Sequence, residues 1–290
     1  MDDLPKIYLW PNLMTAGNLC CGFFATLSIF SGMMNPTHAS SHFYQAILLI
    51  LGACVFDALD GRMARLTSQD SPFGREFDSL ADIVSFGIAP SLLVHEIVLA
   101  DLPDRWGWVI SFIYLLCGAM RLARFNCLAA MDVKNASRDF VGIPIPAAAG
   151  VIASLTMLLM WLEAKDRPIG AWKWVLPFLM LLLAGMMIST IRYPSFKGLN
   201  VRTRRSMVWV LVAVLVLVLT AVWWHVMPAI LFVAYLCYGP ARPWISRRWR
   251  RELEEEDEER EREEAEEART LQAPEDNPPT TAGSPDGVSL

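Results

Sequence analysis

The sequence has no pair of cysteines at the spacing of a metal site, although six cysteines occur among its 290 residues. Cys20 and Cys21 are adjacent within an apolar run, and the other four are scattered along the chain. Zinc sites in proteins use cysteine and histidine at short, regular spacings, so this pattern argues against zinc. We expect all six cysteines to be buried, reduced packing residues.

The first apolar stretch, Leu13 to Met34, lacks the features of a cleavable signal peptide. It is too long, has no basic leader and has no convincing small-residue cleavage site. Hydrophobic residues make up 54% of the chain, and the run Met207 to Trp224 carries no charge. Since a helix of roughly 20 apolar residues crosses a bilayer, the sequence predicts an integral membrane protein that retains this first stretch as a membrane helix.

About eight candidate membrane spans result when the apolar runs are divided at charges, prolines and polar clusters. They lie at about residues 12–34, 43–60, 77–99, 106–124, 141–163, 172–190, 207–224 and 227–241. The last is short and close to its predecessor, so a tight helical hairpin or a re-entrant pair is an alternative to two full crossings. We therefore predict an all-α, polytopic transmembrane bundle over residues 1–245.

Positive charge is distributed unequally between the loops on the two sides of this bundle. One side holds eighteen basic residues, namely Lys6, Arg62, Arg65, Arg75, Arg121, Arg124, Lys134, Arg138, Arg192, Lys197, Arg202, Arg204, Arg205, Arg242, Arg247, Arg248, Arg250 and Arg251. The other side holds only Arg105, Lys165, Arg167 and Lys173. Because cytoplasmic loops retain Lys and Arg, both termini and the loop after the second span are predicted to be cytoplasmic.

The net charge of −5 comes from the end of the chain, where twelve acidic residues lie between Glu252 and Glu267. Oppositely charged residues there recur at helical spacing, as in Glu258 and Arg262. We expect a charged cytoplasmic helix over residues 246–270. Residues 271–290 are rich in Pro, Thr, Gly and Ser and are expected to be disordered. We expect no nucleic-acid partner.

Four aspartates lie at the predicted second and third spans, where ionisable side chains are costly and indicate function. Asp57 and Asp60 are three residues apart and Asp78 and Asp82 are four apart, so each pair shares one helix face. Both pairs are predicted at the cytoplasmic ends of neighbouring antiparallel helices. Clustered carboxylates repel one another unless a cation neutralises them. Oxygen ligands favour Mg²⁺ or Mn²⁺ over zinc.

Two other interpretations of these aspartates stay open from their positions alone. The acids could form interfacial salt bridges with Arg62, Arg65 and Arg75. They could also form the ion path of a cation transporter, which predicts carboxylates near the middle of the membrane.

The residues around the aspartates follow a fixed pattern with eight specified positions. It reads Asp57-x2-Asp60-Gly61-x2-Ala64-Arg65, then eight residues, then Gly74-x3-Asp78-x3-Asp82. This pattern resembles the signature of the CDP-alcohol phosphatidyltransferases, and every fixed position matches. A chance match at so many spacings is improbable. The transporter interpretation gives no reason for the two glycines, the alanine and the arginine.

The resemblance implies the CDP-alcohol phosphatidyltransferase fold and a metal site of two Mg²⁺ or Mn²⁺ ions. Asp57, Asp60 and Asp78 would hold the metal, and Asp82 would be the general base, with a metal contact as a second role. Asp82 would take the proton from the hydroxyl of the acceptor alcohol, and CMP would leave.

The same resemblance implies that Gly61, Arg65 and Ser71 contact the CDP moiety. Gly61 and Ala64 are expected on a turn after the first aspartate pair, where they leave room for the nucleotide. Gly74 is expected to permit a tight turn that starts the third span.

Further segments resemble membrane-embedded phosphatidylserine synthases of bacteria and archaea. They are Pro11 to Gly22, Gly118 to Asn126, Phe140 to Pro146 and Ile191 to Lys197. The resemblance implies CDP-diacylglycerol and L-serine as substrates, a bacterial inner membrane and a homodimer. Glycerol 3-phosphate is the alternative acceptor.

Arg121 and Arg124 lie three residues apart near the predicted cytoplasmic interface. They could bind the serine carboxylate or the donor phosphate. The alternative is that they extend to lipid headgroups. The sequence does not separate the two arginines, and Asn126 is either a substrate contact or part of a helix end.

Overall fold

The computed structural model of the protein describes residues 9–66, 71–130, 140–165, 174–189, 192–193, 215–216 and 218–241. The chain divides into two compact units, Met1–Arg242 and Pro243–Leu290. All described residues belong to the first unit. The charged helix expected at 246–270 and the disordered tail expected at 271–290 lie outside the described residues and stay predictions.

The described part of the chain is almost entirely helical. Its α-helices are α1 Leu9–Met34, α2 Ala39–Leu66, α3 Pro72–Asp82, α4 Ala89–Ile97, α5 Trp106–Ala130, α6 Ile145–Glu163, α7 Val175–Ile188 and α8 Met227–Ala241. The only extended pairing among the described residues joins β1, Phe140–Val141, to β2, Arg192–Tyr193, in antiparallel register. These two short strands do not change the class, and the predicted all-α bundle is confirmed.

Five described stretches are long and apolar enough to cross a membrane. They are Asn12–Met34, Pro36–Met63, Pro72–Ile97, Trp106–Leu128 and Ile145–Glu163. Val175–Ile188 and Met227–Gly239 are shorter apolar helices. The chain is thus an integral membrane protein by the length and composition of its helices. The expected count of about eight spans is not confirmed, and most of the predicted span 207–224 lies outside the described residues.

The third span begins at a helix cap and contains one widened turn. Ser71 precedes α3, and its Oγ accepts a hydrogen bond of 3.0 Å from the backbone N–H of Gly74. Such a cap contributes about 0.5–2 kcal/mol to helix stability. A π-helical turn, Ile83–Ile88, follows Asp82 directly and leads into α4. Tyr114 on α5 donates a 3.2 Å hydrogen bond to the carbonyl of Phe86 within this turn, which ties α5 to the widened turn. Turns of this kind often lie at functional sites.

Small side chains line the contact between α1 and α2, two helices that pack along much of their length. A Cβ at Gly17 of α1 would come within 2.9 Å of the Phe56 ring on α2, and one at Gly32 within 2.8 Å of the Phe43 ring. Large side chains such as Phe23 and Phe24 point outward instead. Because lipid is as apolar as the bundle interior, membrane helices associate by close packing of small residues. This packing brings α1 close to the aspartate-bearing segments.

The cysteines differ from the expectation that all six are buried. All are free, but Cys20, Cys127 and Cys237 are exposed, Cys21 and Cys54 are partly exposed, and only Cys117 is buried. The physical reason is that outward positions on membrane helices face an apolar medium. A small apolar residue is therefore tolerated there as well as in the core.

Candidate active site

Three aspartates converge where α2 and α3 meet. One carboxylate oxygen from each of Asp57, Asp60 and Asp78 lies within 4.8 Å of the other two. Asp60 is 6% exposed, and Oδ1 of Asp78 is buried with no hydrogen-bond partner among the described residues. Three of the four aspartates of the two predicted pairs therefore converge in the fold.

The chemistry of this cluster fits a hard divalent cation. Its three ligands are oxygens with no histidine or cysteine among them, which is the donor set of Mg²⁺ or Mn²⁺ sites. The unpaired Oδ1 of Asp78 leaves an acceptor free for such an ion. Three carboxylates at this distance, one of them buried and two partly buried, also need a nearby positive charge. The cluster could hold a metal ion.

The alternative of salt bridges to nearby arginines is not supported by the described side chains. Arg62 and Arg75 are exposed. Within the described part of the chain, no ion pair joins an arginine to these aspartates, and the ion pair found there is His95 with Glu96 at 4.0 Å. The side chain of Arg65 lies outside the described residues.

Asp82 lies beside the three-carboxylate cluster and has a different environment. It is only 4% exposed, and its Oδ1 accepts a 3.0 Å hydrogen bond from Nδ2 of Asn18 on α1. It interacts electrostatically with Asp57 and Asp78. A carboxylate fixed by an amide donor, next to a possible cation site, is suited to accept a proton from a bound substrate.

Two polar residues on α1 were not assigned roles from the sequence. Thr15 donates a 3.1 Å hydrogen bond from Oγ1 to Oδ2 of Asp60, and Asn18 contacts Asp82 as described. Both are buried and lie three residues apart on a mostly apolar helix. In the sequence, the signal for a shared role was the spacing of three between these two polar residues, because it places both on one helix face.

The expected turn at Gly61 and Ala64 is wrong. Helix α2 continues to Leu66, so Gly61 and Ala64 lie inside it rather than on a turn. Gly74 lies in the first turn of α3. A Cβ there would come within 3.2 Å of Ser71 Oγ and 3.3 Å of Asn12 Oδ1. The reason for glycine at this position is thus the close approach of α1 and the helix cap.

The structure places Arg121 and Arg124 in different environments, a difference that the sequence does not reveal. Arg121 is partly buried, and its Nε is inaccessible with no hydrogen-bond partner among the described residues. Its guanidinium interacts electrostatically with Asp82, Tyr235 and Asp57. Arg124 is exposed. Only Arg121 therefore faces the aspartates.

Asn126 connects α5 to α3 rather than facing the aspartates. Its Nδ2 donates to Glu76 Oε2 at 3.1 Å and to Ser79 Oγ at 3.0 Å. This contact supports a structural role at the helix end.

The described helices thus form a membrane protein with a carboxylate cluster that could hold a metal ion. Residues 8–185 match the family described as CDP-alcohol phosphatidyltransferase. The chain belongs to this family, as its motif predicts, and it is a phosphotransferase.

Three curated relatives extend this comparison. A Helicobacter pylori CDP-diacylglycerol–serine O-phosphatidyltransferase is 43% identical over 199 residues, covering 66% of this chain and 74% of the relative. The archaetidylserine synthase of Methanothermobacter thermautotrophicus is 32% identical, covering 67% of this chain and 72% of the relative. A Bacillus subtilis CDP-diacylglycerol–serine O-phosphatidyltransferase is 34% identical, covering 64% of this chain and 90% of the relative.

Proposed function

We propose that the protein transfers the phosphatidyl group of CDP-diacylglycerol to the hydroxyl of L-serine, giving phosphatidylserine and CMP. The observation that carries this proposal is the buried Asp82 carboxylate, held by Asn18 beside the Asp57, Asp60 and Asp78 cluster. The choice of serine is supported by the relatives, which are named for transfer to serine at up to 43% identity.

We assign the three clustered aspartates to a metal site and propose that it takes two ions, as the family resemblance implies. Asp57, Asp60 and Asp78 would hold Mg²⁺ or Mn²⁺, and this ion would supply positive charge to neutralise the donor diphosphate. Thr15 holds the Asp60 carboxylate by its hydrogen bond. Asp82, which lies beside the cluster, could reach the same site as an additional ligand.

Asp82 is the general base in this proposal. It takes the proton of the serine hydroxyl, and the serine oxygen attacks the phosphorus that carries diacylglycerol. A phosphorus–oxygen bond to serine forms, the bond to the bridging oxygen of the diphosphate breaks, and CMP leaves. We prefer this direct transfer to a covalent intermediate. A positioned base of this kind contributes roughly 10²–10⁴-fold to the rate.

Cationic and small residues around the aspartates bind the remaining substrate groups. We assign the serine carboxylate to Arg121, because its Nε is buried and lacks a partner among the described side chains. Gly61, Arg65 and Ser71 are assigned to the CDP moiety. Arg124 is exposed, and we assign it to anionic headgroups at the membrane surface, including that of the lipid donor.

The cellular arrangement follows from the charges of the loops. We propose a multi-pass protein of a bacterial inner membrane, with the active site and both termini facing the cytoplasm. We also propose a homodimer, on the basis of family resemblance.

An acceptor assay with purified protein tests the assignment. CDP-diacylglycerol and Mn²⁺ are supplied in mixed micelles with either L-serine or glycerol 3-phosphate, and lipid products and CMP are measured. We expect phosphatidylserine and CMP with serine, and loss of both in Asp82→Asn. Product only with glycerol 3-phosphate, whose phosphate would also suit Arg121, would overturn the choice of serine. The cation-transporter interpretation is not favoured, because the chain belongs to a phosphotransferase family.

A further inference from the structure

The Asn18 side chain, which bonds to Asp82, has a buried amide oxygen that neither the motif nor the catalytic steps use. We propose that Asn18 binds the ammonium group of the acceptor amino acid through Oδ1, while its Nδ2 orients Asp82. This inference rests on the proposed function and specifies how that site recognises its substrate.

The orientation of the Asn18 amide follows from its partner. Nδ2 donates to Oδ1 of Asp82 at 3.0 Å. An ionised carboxylate only accepts hydrogen bonds, so the amide nitrogen must face it and the amide oxygen must face away. Asn18 is 0% exposed, and its Oδ1 has no donor among the described residues. A buried acceptor without a donor is costly, so a substrate donor at this position would be favoured.

The backbone of Asn18 is fixed in place by the segment that follows Asp82. Ser85, in the π-helical turn, donates from Oγ to the carbonyl of Asn18 at 2.9 Å. One turn along α1, Gly22 packs so closely that a Cβ there would come within 2.6 Å of Ser85 Cα. Helix α1 is therefore held against the turn that carries the base. The free oxygen of Asn18 has a defined position relative to Asp82.

The unsatisfied groups around Asp82 are complementary to the three polar groups of serine. Arg121 has a buried, unpaired Nε for a carboxylate, and Asn18 has a buried, unpaired Oδ1 for an ammonium. Asn18 donates a hydrogen bond to Asp82, and Arg121 interacts electrostatically with the same carboxylate. Glycerol 3-phosphate offers no ammonium, so the Asn18 oxygen would favour an amino-acid acceptor over it.

The test compares acceptors that differ in the ammonium group. L-serine is compared with 3-hydroxypropanoate, which keeps the hydroxyl and carboxylate but has no ammonium. In the wild type we expect kcat/KM for 3-hydroxypropanoate to be at least about 100-fold lower than for serine. In Asn18→Leu we expect the ratio of kcat/KM for serine to kcat/KM for 3-hydroxypropanoate to fall by about 10- to 100-fold. Of the two acceptors, only serine loses a contact with the side chain of residue 18.

A purely structural role for Asn18 gives a different result. If Asn18 acts only by orienting Asp82, Asn18→Leu lowers kcat/KM for both acceptors by the same factor, and the inference is overturned. Thr26→Val is the matched control on α1, since the Thr26 hydroxyl bonds to the carbonyl of Gly22 in its own helix. It should leave both values within about 2-fold of the wild type.

If Asn18→Leu cannot be purified in folded form, the comparison of the two acceptors in the wild type still tests the inference. Equal use of serine and 3-hydroxypropanoate would overturn the role of Asn18 while leaving transfer to serine intact. Failure to use serine, with turnover of glycerol 3-phosphate, would instead overturn the proposed function itself.

Discussion

Thr15 on α1 donates a 3.1 Å hydrogen bond to Asp60 on α2, across 45 positions of sequence. Asn18, three residues further along α1, contacts Asp82 across 64 positions. Helix α1 thus reaches both aspartate-bearing segments without supplying a carboxylate of its own. Substitutions on this helix should affect the metal ligands and the base separately.

Removal of the Thr15 hydroxyl should weaken metal binding. We expect Thr15→Val to lower the affinity for Mn²⁺ by about 10- to 100-fold, because partners of metal ligands orient them. Thr15→Ser keeps the donor and should stay close to the wild type. Titration with Mn²⁺ followed by electron paramagnetic resonance measures this affinity without turnover. Equal affinities in Thr15→Val and the wild type would contradict the role.

Substitution of the base should separate chemistry from binding. We expect Asp82→Asn to reduce kcat for CMP release by roughly 10²–10⁴-fold. Binding of CDP-diacylglycerol and of Mn²⁺ should largely survive, because Asp57, Asp60 and Asp78 are unchanged. Rapid-quench measurement of CMP and equilibrium binding of the lipid donor check this together. Unchanged CMP release would remove Asp82 from the role of base.

The two arginines of α5 should differ in their effect on the acceptor. Arg121→Met should raise the KM for serine by about 10- to 100-fold, since a charged hydrogen-bond donor to the carboxylate is lost. Arg124→Met should change that KM by less than about 3-fold, because the exposed side chain is screened by solvent. Steady-state kinetics at saturating lipid donor provide the comparison. Equal effects of the two substitutions on the KM for serine would show that the difference in exposure does not distinguish Arg121 from Arg124.

The close contact between α1 and Ser85 should make Gly22 sensitive to an added methyl group. Gly22→Ala places a Cβ against the Ser85 backbone, and overpacking of this kind costs about 1–3 kcal/mol. Gly52→Ala is the matched control, since its Cβ would meet only Cys21 Sγ at 3.9 Å. Thermal unfolding in detergent, followed by tryptophan fluorescence, should show a lower Tm for Gly22→Ala alone.

The predicted orientation can be tested with single cysteines in a cysteine-free background. Arg75→Cys should be protected from a membrane-impermeant maleimide in intact spheroplasts, whereas Lys165→Cys should be labelled. Both native side chains are exposed, so accessibility is limited by the membrane and not by packing. Permeabilised cells serve as the control in which both react. The reverse pattern would invert the proposed topology.

The sequence predicted the membrane class and the aspartate cluster for a simple reason. Helical periodicity alone places residues three or four apart on one face, which is the case for Asp57 with Asp60 and Asp78 with Asp82. It did not predict the contexts of Gly61 and Gly74. These depend on where α2 ends and on how closely Asn12 and Ser71 approach Gly74, and both are set by contacts between helices.

The amino-acid sequence by itself determined that helices cross a membrane and that two of them carry paired carboxylates. Only the tertiary structure decided that Thr15 and Asn18 face those carboxylates and that Arg121, rather than Arg124, does so. Three residues on a helix are about 60° apart in direction, so a modest rotation of α5 decides which arginine faces inward. Because the lipid and the bundle interior are equally apolar, the hydrophobic pattern does not specify that rotation. Packing against neighbouring helices does.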